Sequence, residues 1–171
     1  PSPLHVNTVY QVYWLLLFMA ARNDLTQQLP LLIATLAERL KKPQFVKAPG
    51  LFIRGNGDKK SARRIKDKLL KGKTEKLNKC TDPYTMGLVL RMALEDMIKP
   101  VISHDLYDCF MAAQGVPGLE ARKESVRRAL DMLAPLDALV WEYLCSLFYV
   151  VHQHCVVNKM DAFTISKVFS Q

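Results

Sequence analysis

The chain has 171 residues, of which 50% are apolar and 23% charged. That balance excludes an intrinsically disordered or membrane-embedded chain, and the length suffices to bury one core without disulfides or metals. The net charge is +8, yet Lys59 to Lys79 alone holds ten basic residues against Asp67 and Glu75, so the rest of the chain is balanced.

The longest uninterrupted apolar run, Val12 to Ala21, has ten residues, whereas a bilayer span needs about 20. No basic segment precedes it, as a signal peptide would require, and Val9 to Ala21 is expected to form a buried helix. The chain begins at Pro1 without Met, as a piece of a longer protein would. Thr26 is expected to cap a second helix with Leu29, Leu32, Ile33, Leu36, Ala37 and Leu40 on one face, stopped by Pro43. Pro49-Gly50 opens a loop over Leu51 to Asp58 with Gly55 and Gly57 inside it. Ser61 to Leu70 reads as a basic helix closed by Gly72. Thr81-Asp82-Pro83 is a helix start, with Thr or Asp as the cap and Pro in the first turn. Met86, Val89, Leu90, Ala93, Leu94 and Met97 line the helix that follows, and Pro100 ends it. Asp105 to Ala113, Leu119 to Leu133, Leu136 to Val151 and Asp161 to Ser170 complete the pattern, with Asp161 a further cap. No alternation of period two marks a strand. The expectation is a single all-α domain of about seven to nine helices, with residues 1–27 an N-terminal hydrophobic extension and 28–171 the core.

Few constellations point to chemistry of the chain's own. Cys80, Cys109, Cys145 and Cys155 contain no C-x-x-C pair and read as free thiols of a reducing compartment. His152-Gln153-His154-Cys155 lacks the fourth ligand and spaced pairs of a structural zinc site, so no metal is expected there. Cys109 has no motif that would pair it with a histidine as a nucleophile. Gly55-Asn56-Gly57 is followed by no Lys-Ser/Thr and preceded by no strand, so it is not a phosphate-binding Walker loop. The basic segment (Lys59, Lys60, Arg63, Arg64, Lys66, Lys68, Lys71, Lys73, Lys76, Lys79) suits a solvated helix face, an acidic protein or an anionic lipid surface. It carries no aromatic residue on which bases could stack, which argues against nucleic acid. The residue that stands out is Arg54, presented by a glycine-flanked loop that permits tight, close-approach geometry. An arginine offered in this way can act inside another protein's site.

From that loop onward the chain resembles the domain that activates Rho-family small GTPases, the RhoGAP family. The best stretch runs without gaps from Asp82 to Ile102 and includes Leu90, Arg91, Leu94, Glu95, Asp96 and Pro100. A second runs through Asn158-Lys159-Met160 to Thr164, Val168 and Phe169. Arg122, Leu130, Leu133 and Pro135 fit the segment between them, Leu29-Pro30 with Leu32, Ile33 and Leu36 an early helix, and Leu51 to Gly57 the family's Arg-bearing loop. The resemblance implies a regulator rather than an enzyme, binding a GTP-loaded Rho-family GTPase without cofactor or metal, in the cytoplasm or at a membrane surface. It implies that Arg54 is the arginine finger when the loop is aligned on Gly57; alignment on Gly50-Leu51-Phe52 puts Ile53 there instead. It assigns GTPase-binding roles to Arg91, Glu95 and Thr164, each a departure. Arg91 replaces a lysine, Glu95 an arginine, Thr164 an asparagine, and Ala138 stands at a further asparagine position. Weak, redirected or lost activity is the expectation that follows. Glu95 can also simply pair with Arg91 four residues earlier, and Thr164 can restore a local hydrogen bond. The other expectation is a non-catalytic module of the same fold that docks an acidic protein or anionic membrane through residues 59–79.

Overall fold

The computed structural model describes residues 25–53, 55–97 and 99–170. The expected helix Val9 to Ala21, and with it most of the extension, lies outside them. All regular structure among the described residues is helical, as the pattern predicts. The longer elements are α1 (Leu25–Leu40), α3 (Lys59–Leu70), α5 (Pro83–Glu95), α6 (His104–Gln114), α7 (Leu119–Asp131), α8 (Pro135–Gln153) and α10 (Ala162–Phe169). Three short turns join them: α2 (Pro43–Val46), α4 (Glu75–Lys79) and α9 (Cys155–Asn158). None of the three announces itself in the sequence, because four or five residues are too few to show a helical period.

The core is built where α1 lies between α5 and α8, with α3 packed on α5 and also touching α1. Leu29, Leu32, Ile33, Leu36, Ala37 and Leu40 of α1 are all buried, as the spacing predicts. Leu31 and Ala34 are buried as well, because α1 is enclosed by neighbours on more than one side. On α5 the expected stripe holds from Met86 through Val89, Leu90 and Ala93, all fully buried, to Leu94 at the margin. The helix ends at Glu95, short of the expected Pro100, and Met97 packs on the core from beyond it. From α8 the core takes Val140, Leu144, Leu147 and Val151.

Caps set the helix starts. Asp82 accepts hydrogen bonds from the amides of Tyr84 (3.3 Å) and Thr85 (2.9 Å), with Pro83 in the first turn. Asp58 starts α3 by accepting from the Lys60 amide at 2.9 Å, two residues ahead of the expected Ser61. Gly72 closes that helix with φ +74°, the left-handed geometry glycine supplies at a helix end. Pro135 begins α8 rather than merely separating it from α7, since its missing N–H is not needed there. The four cysteines are free.

Candidate functional site

The segment from Gly50 to Asp58 is fastened to the helical core at both ends. The Gly50 amide donates to the carbonyl of Asn158 at 2.7 Å. The Asn56 side-chain amide donates to the Gly50 carbonyl at 3.1 Å, and the Asp58 amide donates to Thr85 Oγ1 at 3.2 Å. Between them Phe52 is buried, its ring edge-on to Phe148 (6.3 Å between centroids) and to Phe169 (5.1 Å). Such pairs add to the burial of each ring, and they tie the loop to α8 and α10 together. Gly57 holds φ +89°, and a Cβ there would stand 2.7 Å from the Tyr84 carbonyl carbon. The loop therefore rests backbone to backbone on the start of α5. Ile53 is 44% exposed, and its Cδ1 reaches back over Gly50. Arg54 itself lies outside the described residues.

Arg91 departs from its expected setting on a partner-facing surface. Its residue is buried to 7% exposure, and Nη1 donates to the Phe52 carbonyl at 3.3 Å. The guanidinium therefore holds the loop two residues before Arg54. Burial of such a charge is tolerable only with partners, and its second partner is Glu95, whose carboxylate is 3.8 Å from Nη2. The i,i+4 pairing expected of these two is present, although at that separation it is a loose one. The Glu95 side chain is 62% exposed, so one face of its carboxylate remains open to solvent.

Thr164 occupies the first turn of α10 and does restore a local hydrogen bond. Asp161 caps the helix by accepting from the Thr164 amide at 2.7 Å. Hydrogen bonds from the Thr164 hydroxyl and then its amide hold the Asp161 carboxyl below its ordinary pKa. Phe163, one residue earlier, is 75% exposed, although an aromatic in an amphipathic helix reads as core from sequence alone. Asn158 belongs to the second of the matched stretches. Its buried side chain in fact donates from Nδ2 to the carbonyls of Val46 (2.7 Å) and Val151 (2.8 Å) and accepts from the Met160 amide at 2.7 Å. With Lys159 in the left-handed region (φ 60°), it fixes the corner that supports Gly50.

The basic segment divides in two. Lys59, Lys60, Arg63, Arg64 and Lys68 are exposed on α3. Lys66 is not part of that surface: it points inward with Ala62 and Leu69 and forms an ion pair with Asp96. The spacing 62, 66, 69 puts it on the buried stripe, so the count of exposed cations on α3 is one fewer than the sequence suggests. Burial raises the Cys80 thiol above its ordinary value, and among the described residues no three His, Cys, Asp or Glu side chains converge as a metal site would need. His154 Nδ1 lies 3.0 Å from the Val150 carbonyl, a contact that serves the end of α8.

The RhoGAP domain family model matches residues 30–171. The chain belongs to the RhoGAP family. Over 120 residues this RhoGAP domain is 28% identical to Rho GTPase-activating protein gacJJ of Dictyostelium discoideum, covering 70% of the chain and 14% of that relative. It is also 28% identical over 117 residues to Rho GTPase-activating protein 20 of Rattus norvegicus, covering 68% of the chain and 10% of the relative. It thus spans only a small part of the length of the curated relatives it matches. Its fold is similar to the crystal structure of human Rho GTPase activating protein 15, with a TM-score of 0.73 at 16% identity, over 80% of this chain and 65% of that one.

Proposed function

We propose that this RhoGAP domain binds a Rho-family small GTPase in its GTP-bound state and accelerates hydrolysis through Arg54. The observation that carries the reading is the loop fastened on both sides of that residue, by Arg91 at Phe52 and by Thr85 at Asp58. A guanidinium held on a prepared loop meets charge developing on the γ-phosphate with little reorganisation, an effect worth about 10³–10⁵ in rate. The Gly57 register supports Arg54 over Ile53. Main chain alone confronts a Cβ at Gly57, whereas at Gly50 the nearest atoms are flexible side-chain ends of Ile53 and Asn56. Arg91 is a positioning residue in this reading, and Glu95 and Thr164 mark the surface where the partner is chosen. A carboxylate at Glu95 repels a partner built for a cation there, so activity is weak or directed to an unusual member of the GTPase family. The chain acts as a regulator and supplies no catalysis of its own without the GTPase, and its place of action is the cytoplasm or a membrane surface facing it.

Single-turnover GTP hydrolysis by Rho-, Rac- and Cdc42-type GTPases tests the reading. Wild type is expected to accelerate at least one, and Arg54→Ala to abolish that acceleration while retaining binding. Absence of acceleration across the panel overturns the catalytic function, and an undiminished Arg54→Ala variant overturns the role of the arginine.

A further inference from the structure

The outward arc of α3 carries Lys59, Lys60, Arg63, Arg64 and Lys68, continued by Lys71 and Lys73 beyond its end. None of these seven forms an ion pair among the described residues, although other cations of the chain do. The opposite face is committed to the core through Ala62, Lys66 and Leu69. Asp67 is the one acid of the helix and is exposed within the arc. No large exposed apolar residue lies between residues 59 and 79.

We propose that this face docks on an anionic lipid surface, independently of the GTPase. Charge complementarity names an anionic partner, and the shape of the charge chooses between the two kinds. A protein interface rests on a desolvated core of aromatic and apolar anchors, and the arc has none. A lipid surface presents a smeared negative potential that each nearby Lys or Arg exploits additively without a fitted pocket. An exposed, lysine-rich helix face with no large apolar residue at its centre matches the second. Because Asp58 both caps α3 and ends the loop, a docked α3 would also fix how the loop is presented above the membrane.

Co-sedimentation of the whole chain with phosphatidylcholine vesicles containing about 30% phosphatidylserine tests this. Binding is expected, absent on pure phosphatidylcholine and fading as salt shortens the screening length from ~10 Å to ~3 Å. Replacing Lys60, Arg63, Arg64 and Lys68 by Gln, all exposed and outside the core, is expected to weaken binding about 1,000-fold. The same change at Lys42, Lys47, Arg127 and Lys167 controls for net charge and is expected to leave most of the binding intact, and an unchanged helical circular dichroism spectrum shows that both variants fold. Wild type that ignores the anionic vesicles, or two variants that bind them equally, overturns the inference. So does an α3 variant that keeps vesicle binding but loses GTPase acceleration in vesicle-free solution, since the face then belongs to a protein partner. Sedimentation needs no GTPase, and Arg54→Ala is expected to bind vesicles as wild type does. Failure of the arginine reading and failure of the lipid reading are thereby separate results.

Discussion

A Cβ at Gly87 would stand 2.7 Å from the carbonyl oxygen of Leu51, so the loop can lie on α5 only because that helix carries no side chain at this point. Glycine inside a helix costs about 1 kcal/mol relative to alanine. Here that cost is offset by the close approach of the segment that leads to Arg54. The contact is between main chains, and neither can rotate away.

Gly87→Ala therefore sets two effects against each other. Helix propensity favours alanine by about 1 kcal/mol, while the forced shift of packed backbone costs about 1–3 kcal/mol. The expected outcome in thermal unfolding is a net loss of stability of about 1 kcal/mol. The loss in GTPase acceleration is expected to be larger, because the displaced part is the loop itself. A variant as active and stable as wild type would show that the loop yields freely.

Asn158→Ala removes the partner of two buried carbonyls and one amide at once. Each buried polar group left unpaired costs about 1–3 kcal/mol. Denaturant unfolding is expected to show a loss of about 3 kcal/mol or more, comparable with the whole stability margin of many domains.

The Lys66–Asp96 pair is asymmetric, with side-chain exposures of 11% and 44%. Asp96→Ala strands a nearly buried ammonium and is expected to destabilise by about 1–2 kcal/mol, less than for a wholly buried pair because solvent reaches the site. Lys66→Met removes the charge while keeping the buried stem and is expected to stay within about 1 kcal/mol of wild type. Equal losses from both substitutions would contradict this account.

Two helix caps make stability depend on acid. The Asp58 carboxyl is held below its ordinary pKa by the Ser61 hydroxyl and the Lys60 amide, and Asp161 by Thr164. Since the folded values are depressed, the stabilisation is present above the ordinary carboxylate range, about pH 4. It is lost as the pH falls through that range toward the folded values. Thermal melts at stepped pH are expected to show this decline, flattened in the Asp58→Asn, Asp161→Asn double variant.

Glu95→Arg restores the charge that the family pattern carries at this position and removes the carboxylate near Arg91. If Glu95 is what weakens the partner contact, acceleration is expected to rise by about tenfold, which corresponds to about 1.4 kcal/mol. The loop should stay in place, because the Arg91 bond to Phe52 does not involve Glu95. A drop in acceleration would instead make the Arg91–Glu95 pair a support of the loop.

The sequence by itself determined the longer helices and the inward faces of α1 and α5: their period, the caps Asp82 and Asp161, and the stops at Pro43 and Gly72 are all local, and local chemistry is written in neighbouring residues. The order of matched motifs was legible in the same way. Only the tertiary structure decided which charges are used internally. Lys66 and Arg91 look like their exposed neighbours along the chain, but packing turns one onto Asp96 and the other onto Phe52. Asn158 looked like any motif residue until Val46, more than a hundred positions earlier, was brought against it. Whether a polar side chain faces water or a buried backbone group depends on contacts between distant segments, and no periodicity within one helix carries that information.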